Sequence, residues 1–316
     1  MKESIGGYFS LELPQYEEFH KDAIHLNTGR NCLEYILKTR KYKCVHIPYY
    51  TCEVILEPFT KLGIDYKFYH IDKNFDVVEK IKLDRGEALL YTNYFGLKQQ
   101  YVEKLTERYG QNLIVDNTQA FFAPHISGID TFYTCRKFFG VADGAYLYTD
   151  KMLNIDLDQD VSYNRMTHLL KRIDISAEEG FSDFRKADDS LDCQPIRKMS
   201  KLTMRLMQSI NYDDTVKNRR ENFLYLSKHL ATTNRLHLAL ESDAVPMVYP
   251  YYTGQAGLRN KLIYNRIFVA KYWPNVIEWT HPEDLEFQMA QNILPLPIDQ
   301  RYDVADMDSI IHIINN

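Results

Sequence analysis

The chain has 316 residues, of which 45% are hydrophobic and 26% are charged, and its net charge is -5. This composition is ordinary for a soluble globular protein, and the length suits one large core or two domains. The mixed signs of the charges do not suggest a surface that binds nucleic acid or an anionic membrane, so we expect neither partner. No apolar run approaches the ~20 residues that span a bilayer, so we expect no membrane segment.

The cysteines and basic clusters also point to an ordinary soluble protein. The five cysteines are odd in number and show no Cys-x-x-Cys spacing, so they predict neither a disulfide framework nor a metal site. A reducing, cytoplasmic location fits them best. Two short basic clusters, Arg40-Lys41-Tyr42-Lys43 and Arg219-Arg220, are interpreted as solvated faces.

Short strands alternate with helical patterns from about residue 26 to 150. The predicted strands include Val45-His46-Ile47, residues 66–71, Ala88-Leu89-Leu90-Tyr91 and Leu113-Ile114-Val115. Alternation of this kind predicts an α/β sheet with crossover helices. In such sheets ligands bind beyond the carboxyl ends of the strands, which is where Asp116 follows its strand.

The second half of the chain has a different pattern. Residues 151–232 are mostly helical, with an acidic, turn-rich stretch near residues 183–192. Strands are then expected at residues 238–240, 245–249 and 267–269, with a helix around 258–263 and a closing amphipathic helix near 307–314. We therefore predict a large α/β domain over residues 1–205 and a small α+β domain over residues 206–316.

Asp116 and Lys137 form the pair with the most specific chemistry. Asp116 leaves an apolar strand, Gln119 follows three residues later, and Lys137 comes behind Thr134-Cys135-Arg136. A pyridoxal phosphate (PLP) enzyme needs such a carboxylate for the pyridine nitrogen and such an amine for a Schiff base with the aldehyde. Burial and a neighbouring cation are expected to lower the pKa of Lys137. A turn-capping Asp116 and a lysine on a surface loop are the alternative interpretations.

The segment Thr28-Gly29-Arg30-Asn31 precedes a predicted helix and is a candidate phosphate site. Backbone N–H groups at a helix N-terminus face an anion there, and Arg30 would add a charge-assisted contact. The hydroxyl of Thr134 lies three residues before Lys137, within reach of the same phosphate. A simple N-cap followed by a solvated arginine is the alternative.

The order of these motifs resembles the DegT/DnrJ/EryC1/StrS family of fold-type I, PLP-dependent sugar aminotransferases. Thr28-Gly29-Arg30 is similar to the family's phosphate-binding Ser-Gly-Thr, and Asp116-Asn117-Thr118-Gln119 to its Asp-x-Ala-His/Gln. Lys137 falls on the Schiff-base lysine. The resemblance extends to Pro48-Tyr49-Tyr50-Thr51, Thr92-Asn93-Tyr94-Phe95-Gly96 and residues 293–297, so it covers nearly the whole chain.

Three positions depart from the family pattern. Arg30 replaces the usual Thr, and Phe132 stands where many members carry a phosphate-binding Ser. Cys52 occupies the place of an aromatic ring that covers the cofactor, so the resemblance assigns that contact to Tyr50, to Tyr49 or to neither. Tyr272-Trp273-Pro274 is similar to the family's substrate loop, although its nearby His is missing.

The resemblance implies a PLP-dependent aminotransferase that acts on a nucleotide-linked keto-sugar with glutamate as amino donor. It assigns catalysis to Lys137 and Asp116. The cofactor-binding residues that it implies are Thr28, Gly29, Arg30, Asn31, Tyr50, Cys52, Asp116, Gln119, Thr134 and Lys137. It also implies a homodimer in which the segment carrying Arg197, Lys198 and Ser200 reaches the partner's phosphate. A PLP-dependent lyase or dehydratase, or a non-catalytic relative, remains an alternative.

Overall fold

A computed structural model describes residues 5–316, so the first four residues of the predicted large domain lie outside it. Seven strands form one sheet, and two more form a separate antiparallel pair. The strands are β1 (Ile24–Leu26), β2 (Cys44–Pro48), β3 (Asp65–Tyr69), β4 (Glu87–Thr92), β5 (Leu113–Asp116), β6 (Asp130–Thr134), β7 (Ala145–Tyr148), β8 (Tyr249–Tyr252) and β9 (Ile293–Leu296).

The large sheet is mixed but mostly parallel. Its strand order is β1-β7-β6-β5-β4-β2-β3, and β7 alone runs antiparallel to both of its neighbours. The other neighbouring strands pair in parallel. Parallel strands place their carboxyl ends along one edge, so Thr92, Asp116 and Thr134 end three adjacent strands side by side.

Eleven helices lie within the described part of the chain. They are α1 (Gly29–Arg40), α2 (Leu56–Leu62), α3 (Gln99–Tyr109), α4 (Thr167–Asp174), α5 (Ala177–Asp189), α6 (Lys201–Met207), α7 (Tyr212–Leu230), α8 (Leu258–Tyr264), α9 (Pro274–Trp279), α10 (Leu285–Asn292) and α11 (Val304–Asn315). None of these helices is long and apolar enough to cross a membrane.

The two faces of the large sheet are buried in two separate apolar clusters. One cluster joins α1 and α2 to side chains such as Val45, Leu90 and Ile114. The other holds alternate residues of the same strands, such as Leu89 and Val115, and continues into the C-terminal elements. Burial on both faces explains why β4 and β5 are continuous apolar runs in the sequence.

The C-terminal half departs from the sequence prediction in several places. Residues 238–240 and 267–269 are not strands, although Val269 is buried against the core. The acidic stretch is largely helical, because α5 continues to Asp189. The helices at 258–264 and 304–315 are confirmed. The predicted division at 205/206 falls inside α6, and the two-domain description stays a prediction.

The two basic clusters are not simple solvated faces. Arg219 on α7 is only 1% exposed. Arg40, the last residue of α1, forms a bidentate ion pair with Asp130, the first residue of β6. The interpretation of these arginines as solvated side chains is therefore wrong.

Candidate active site

An open cavity of about 290 Å³ lies at the carboxyl edge of the large sheet. The ends of β4, β5 and β6 contribute its floor, and the first turn of α1 contributes one wall. Its lining residues are Thr28, Gly29, Arg30, Leu33, Thr51, Cys52, Val54, Ile55, Thr92, Asp116, Thr118, Gln119, Phe132, Thr134, Arg136, Lys137, Phe184, Asp188 and Trp273. The cavity brings together eight of the ten residues that the sequence predicted to form the site.

Asp116 is a buried carboxylate at the floor of the cavity. Its Oδ1 accepts a hydrogen bond from the Thr118 backbone N–H at 2.8 Å, and its Oδ2 faces the Thr92 hydroxyl at 3.5 Å. Burial raises the pKa of Asp116, and the nearby Lys137 opposes that rise. A buried carboxylate with so few donors gains stability from a cationic N–H placed against it.

Lys137 lies in the turn that follows β6 and opens onto the same cavity. Its Nζ donates to the Thr118 hydroxyl at 3.1 Å. The side chain is exposed rather than buried, so the expectation of a buried lysine is wrong for the isolated chain. An exposed amine at a cavity wall is accessible to a small aldehyde.

Gln119 is fully buried beside Asp116 and has one unused donor. Its Oε1 accepts from the Phe95 backbone N–H at 2.8 Å, which fixes the orientation of the amide. The Nε2 group then has no protein partner. A buried amide N–H without an acceptor is costly, so this group is suited to a ligand oxygen in the cavity.

The N-terminus of α1 forms an anion-binding geometry at the cavity wall. Thr28 is the N-cap, and its hydroxyl accepts from the Asn31 N–H at 3.2 Å. The N–H groups at the start of a helix have no intrahelical acceptor, which leaves those of Gly29 and Arg30 for a ligand. A Cβ on Gly29 would lie 3.2 Å from the Thr118 methyl group, so the wall is closely packed there.

Arg30 lines the cavity, but its guanidinium already has acidic partners. Its Nη1 donates to Glu57 at 2.8 Å and to Asp192 at 2.5 Å. The solvated arginine of the alternative interpretation is thus excluded. A phosphate at this wall would share Arg30 with these two carboxylates.

Two of the predicted cofactor-binding side chains lie outside the cavity lining. The Asn31 amide donates to Asn27 and to the Pro195 carbonyl, so it connects α1 to a distant loop. Tyr50 is completely buried, with its ring edge-on to Trp273 at 5.2 Å. Neither side chain lines the cavity, and their assignment to a cofactor stays a prediction.

Cys52 and Thr134 line the cavity as predicted. Cys52 is partly buried, and Trp273 lines the same cavity; its role in a substrate loop stays a prediction. The Thr134 hydroxyl donates to the Gly144 carbonyl at 3.3 Å and remains at the cavity surface. Its single O–H is used in this contact, so the oxygen can accept from a ligand, and it can donate to one only by turning away from Gly144.

The sequence interpretation missed several lining residues. Thr118 contacts both Lys137 and Asp116. The sequence contained a signal for this, because an Asp side chain often accepts a hydrogen bond from the backbone N–H two residues later, which here is that of Thr118. Phe184 and Asp188 come from α5 instead. Asp188 accepts a hydrogen bond from Arg136 at 2.6 Å. The two residues are far apart in sequence, so no local sequence pattern predicts this contact.

The segment before α6 has an internal role within the chain. Ser200 is buried, caps α6 and donates to Asp143 at 2.8 Å. Arg197 is held by Gln194 and lies 3.5 Å from Asp160. Its reach to a partner subunit stays a prediction.

One group of potential metal ligands lies at the opposite end of the strands. Donor atoms of Cys44, His46 and Glu87 are within 4.8 Å of one another. The Glu87 carboxylate accepts from Lys67 at 2.8 Å and lies 3.1 Å from the His46 ring. The hydrogen bond from Lys67, and then that from His46, lowers the pKa of Glu87 to about 2. Glu87 is therefore the anion of an ion-pair cluster.

Comparison with known proteins supports the fold. No protein-family model and no curated protein sequence matches the chain. The fold is similar to that of a DegT/DnrJ/EryC1/StrS aminotransferase from Brucella abortus, with 15% identity, a TM-score of 0.60 and coverage of 94% of this chain and 88% of that chain. It is also similar to PseC from Helicobacter pylori, an aminotransferase involved in the biosynthesis of pseudoaminic acid (13% identity, TM-score 0.61, coverage 93% and 85%).

A third structure, Spr1654 from Streptococcus pneumoniae in its PMP form, is similar over 95% of this chain and 92% of that chain, with 13% identity and a TM-score of 0.65. Coverage of this extent includes both the large sheet and the C-terminal part. The predicted fold class, a mostly parallel α/β sheet with a smaller C-terminal α+β region as in these aminotransferases, is confirmed.

Proposed function

We propose that this protein is a PLP-dependent aminotransferase that converts the carbonyl group of a nucleotide-linked keto-sugar to an amine. The observation that carries the proposal is the cavity in which Asp116, Gln119 and Lys137 meet the N-terminus of α1. PLP has a pyridine nitrogen, a phenolic oxygen, an aldehyde and a phosphate. The cavity offers one chemically matched group to each of them.

The unused polar groups of the site support this fit. Asp116 is buried without a cationic hydrogen-bond partner, and the Nε2 of Gln119 has no acceptor. The first N–H groups of α1 face the same space, with Thr134 and Arg30 beside them. Bound PLP would give each of these groups a partner, and the half-buried Cys52 would lie near its ring.

Each residue then has a defined task. Bound PLP supplies an electron sink for the carbon that loses a proton. Asp116 would pair with the pyridine nitrogen and keep it protonated. The free Nε2 of Gln119 would donate to the phenolic oxygen. The Nζ of Lys137 accepts the proton and returns it as general base and then general acid, and the Thr118 hydroxyl orients that amine.

The substrate class rests on the structural relatives. PseC is an aminotransferase of pseudoaminic acid biosynthesis, and the Brucella abortus protein is a DegT/DnrJ/EryC1/StrS aminotransferase. By analogy, the nitrogen would pass from an amino acid, glutamate in our proposal, to the keto carbon of the sugar. The donor would leave as its keto acid before the sugar binds, and bound PLP would carry the nitrogen between the two half-reactions.

We also propose a homodimer with the cavity near the subunit boundary. Helices α4 and α5 expose Leu170 (57%), Ile173 (82%) and Phe181 (61%) beside the cavity wall formed by Phe184 and Asp188. Exposed apolar side chains in one region are typical of an interface, and a two-fold dimer is the commonest oligomer. Light scattering should give twice the chain mass of 37.3 kDa.

The function is tested by following the two half-reactions separately. Protein loaded with PLP should change its visible spectrum on addition of 15N-glutamate, and the spectrum should return on addition of a nucleotide-linked keto-sugar. Mass spectrometry should then find 15N in the sugar. A lyase or dehydratase would release product without 15N, and a non-catalytic protein would leave the spectrum unchanged; either result rejects the proposal.

A further inference from the structure

Arg219 is among the largest fully buried side chains of the protein, at 1% exposure, and it lies outside the cavity. Among residues 5–316, no carboxylate lies within ion-pair distance of its guanidinium, although Asp299 lies near enough to favour its charge. Burial lowers the pKa of Arg219 to about 10, which still leaves it charged at neutral pH. Such a costly group needs acceptors from elsewhere.

Those acceptors are backbone carbonyls and one amide. The Nη2 group donates to the Phe138 carbonyl at 3.3 Å, and Nη1 donates to the Met247 carbonyl at 2.9 Å. The Nε group donates to Gln300 Oε1 at 3.0 Å, and the Nε2 of Gln300 donates to the same Phe138 carbonyl at 2.9 Å. The guanidinium also lies over the Phe138 ring, 4.6 Å from its centroid.

Phe138 directly follows Lys137, so these donors hold the turn that carries the amine. On its other side the turn is closed by the Cys135 carbonyl, which accepts from the N–H groups of Phe138 and Phe139 at 3.0 and 2.9 Å. The Phe138 carbonyl accepts from both Arg219 and Gln300, and the Phe138 ring lies against the guanidinium, so this peptide group has little freedom to rotate. The backbone of Lys137 is thus restrained from both ends of its turn.

A second set of contacts leads from Arg219 to Gln119. The Met247 carbonyl accepts from Arg219, and the Met247 N–H donates to the Phe95 carbonyl at 2.9 Å. The Phe95 N–H in turn donates to Gln119 Oε1 at 2.8 Å. The orientation of the Gln119 amide, and so the direction of its free Nε2, depends on this backbone chain.

We propose that Arg219, together with Gln300, is a positioning residue that sets the placement of Lys137 and Gln119 without touching substrate or cofactor. The catalytic meaning of this placement rests on the proposed function. Independently of that function, a side chain of the C-terminal half fixes the Lys137 turn and the Gln119 amide at the carboxyl edge of the sheet. Active-site groups lose effectiveness when their supporting contacts shift by about 1 Å.

The most selective test is Gln300→Glu. The carboxylate keeps an acceptor for Arg219 and gains an ion pair with it, but it can no longer donate to the Phe138 carbonyl. Arg220→Met is the matched control, because the adjacent Arg220 also donates to backbone carbonyls, those of Glu241 and Ala244, away from the Lys137 turn. Both variants are compared for urea unfolding, PLP affinity and the pH midpoint of the visible absorbance of bound PLP.

We expect Gln300→Glu to weaken PLP binding about three- to tenfold, the equivalent of one lost hydrogen bond, and to move the pH midpoint while the unfolding curve is retained. Arg220→Met should lower stability and change both cofactor readouts less than Gln300→Glu does, because its carbonyl acceptors lie outside the Lys137 turn. Wild-type affinity and pH midpoint in Gln300→Glu, or equal changes in the two variants, would overturn the positioning role.

A measurement without cofactor separates this inference from the proposed function. Acetylation of Lys137 by acetic anhydride in PLP-free protein is quantified by mass spectrometry, with the exposed Lys151 as internal reference. In Gln300→Glu the Phe138 carbonyl loses the hydrogen bond from residue 300, so the turn is less restrained and the Lys137 amine leaves the Thr118 hydroxyl more often. Labelling of Lys137 should therefore be about threefold faster in Gln300→Glu only. If wild-type protein binds no PLP but this difference appears, the proposed function fails and the positioning role stands; if labelling is unchanged, the positioning role fails.

Discussion

The amine of Lys137 lies 3.1 Å from the hydroxyl of Thr118. The backbone N–H of Thr118 donates to the Asp116 carboxylate at 2.8 Å, so a single residue connects the two groups to which we assign the proton chemistry. Because Asp116 ends β5 and Lys137 follows β6, the parallel pairing of these strands holds the arrangement. The relative placement of acid and amine is therefore a property of the sheet.

The first prediction concerns the carboxylate. Asp116→Asn should retain PLP but lose turnover by about 100-fold or more, because a neutral amide does not keep the pyridine nitrogen protonated. Single-turnover rates and PLP content are the measurements. Full activity in this variant would remove Asp116 from the mechanism.

A second prediction uses the ion pairs of Arg30. Arg30→Ala should weaken PLP binding about tenfold, the value of a charge-assisted hydrogen bond to phosphate. Asp192→Asn should instead strengthen binding, because it frees the guanidinium from a carboxylate 2.5 Å away. Asp189→Asn, at an exposed position on α5, is the control. If the affinity for PLP is unchanged in both Arg30→Ala and Asp192→Asn, Arg30 does not bind the phosphate and serves only to stabilise the fold.

A third prediction compares two glycines with similar backbone angles. Gly96 has φ +74°, and a Cβ there would lie 2.8 Å from the Val245 carbonyl oxygen, whereas Gly63 has φ +63° and open space around it. Gly63→Ala should cost about 1 kcal/mol through backbone strain alone. Gly96→Ala should cost about 3 kcal/mol because the clash is added. Equal losses of unfolding free energy in the two variants would show that the backbone at Val245 moves to accommodate the added methyl group.

A fourth prediction concerns His20, which is buried next to the sheet. Its Nε2–H donates to the Phe121 carbonyl at 2.7 Å, and its Nδ1 accepts from the Tyr148 hydroxyl at 3.1 Å. Burial lowers its pKa from 6.5 to about 4; the Phe121 carbonyl and Glu18 favour the charged form, and His125 and His25 oppose it. Between about pH 4 and pH 6.5, His20 is therefore neutral in the folded state but protonated in the unfolded chain.

This difference sets the direction of the pH effect. The contribution of neutral His20 is fully present above pH 6.5 and is lost as the pH falls toward 4, by about 3 kcal/mol at most. Urea unfolding at pH 7 and pH 5 should therefore show a smaller loss of stability for His20→Gln than for wild type. His312→Gln, at an exposed position, should behave like wild type. An identical loss in His20→Gln would contradict the assignment.

The sequence predicted the carboxyl edge of the sheet well because local patterns determine it. Apolar runs mark β4 and β5, which are buried on both faces, and each polar residue that ends such a run must lie at the edge. Asp116, Gln119 and Lys137 follow from this arrangement without any knowledge of distant contacts.

The errors have physical causes of a different kind. Val269 is buried without a strand partner, so an apolar run was mistaken for a strand. In α5 the Ser176 hydroxyl accepts from the Glu179 N–H, a capping signal that the acidic composition obscured. The burial of Arg219 depends on the Phe138 and Met247 carbonyls, which are far apart in sequence, and no local pattern encodes that.

The central claim is that Lys137 is the attachment point of PLP, and one measurement tests it most directly. Purified protein incubated with PLP is reduced with sodium borohydride, digested and mapped by mass spectrometry, with Lys137→Ala as the control. We expect the pyridoxyl adduct on Lys137 in the wild-type protein and no adduct in the variant. Absence of an adduct from the wild-type protein, or its location on another lysine, would contradict the account.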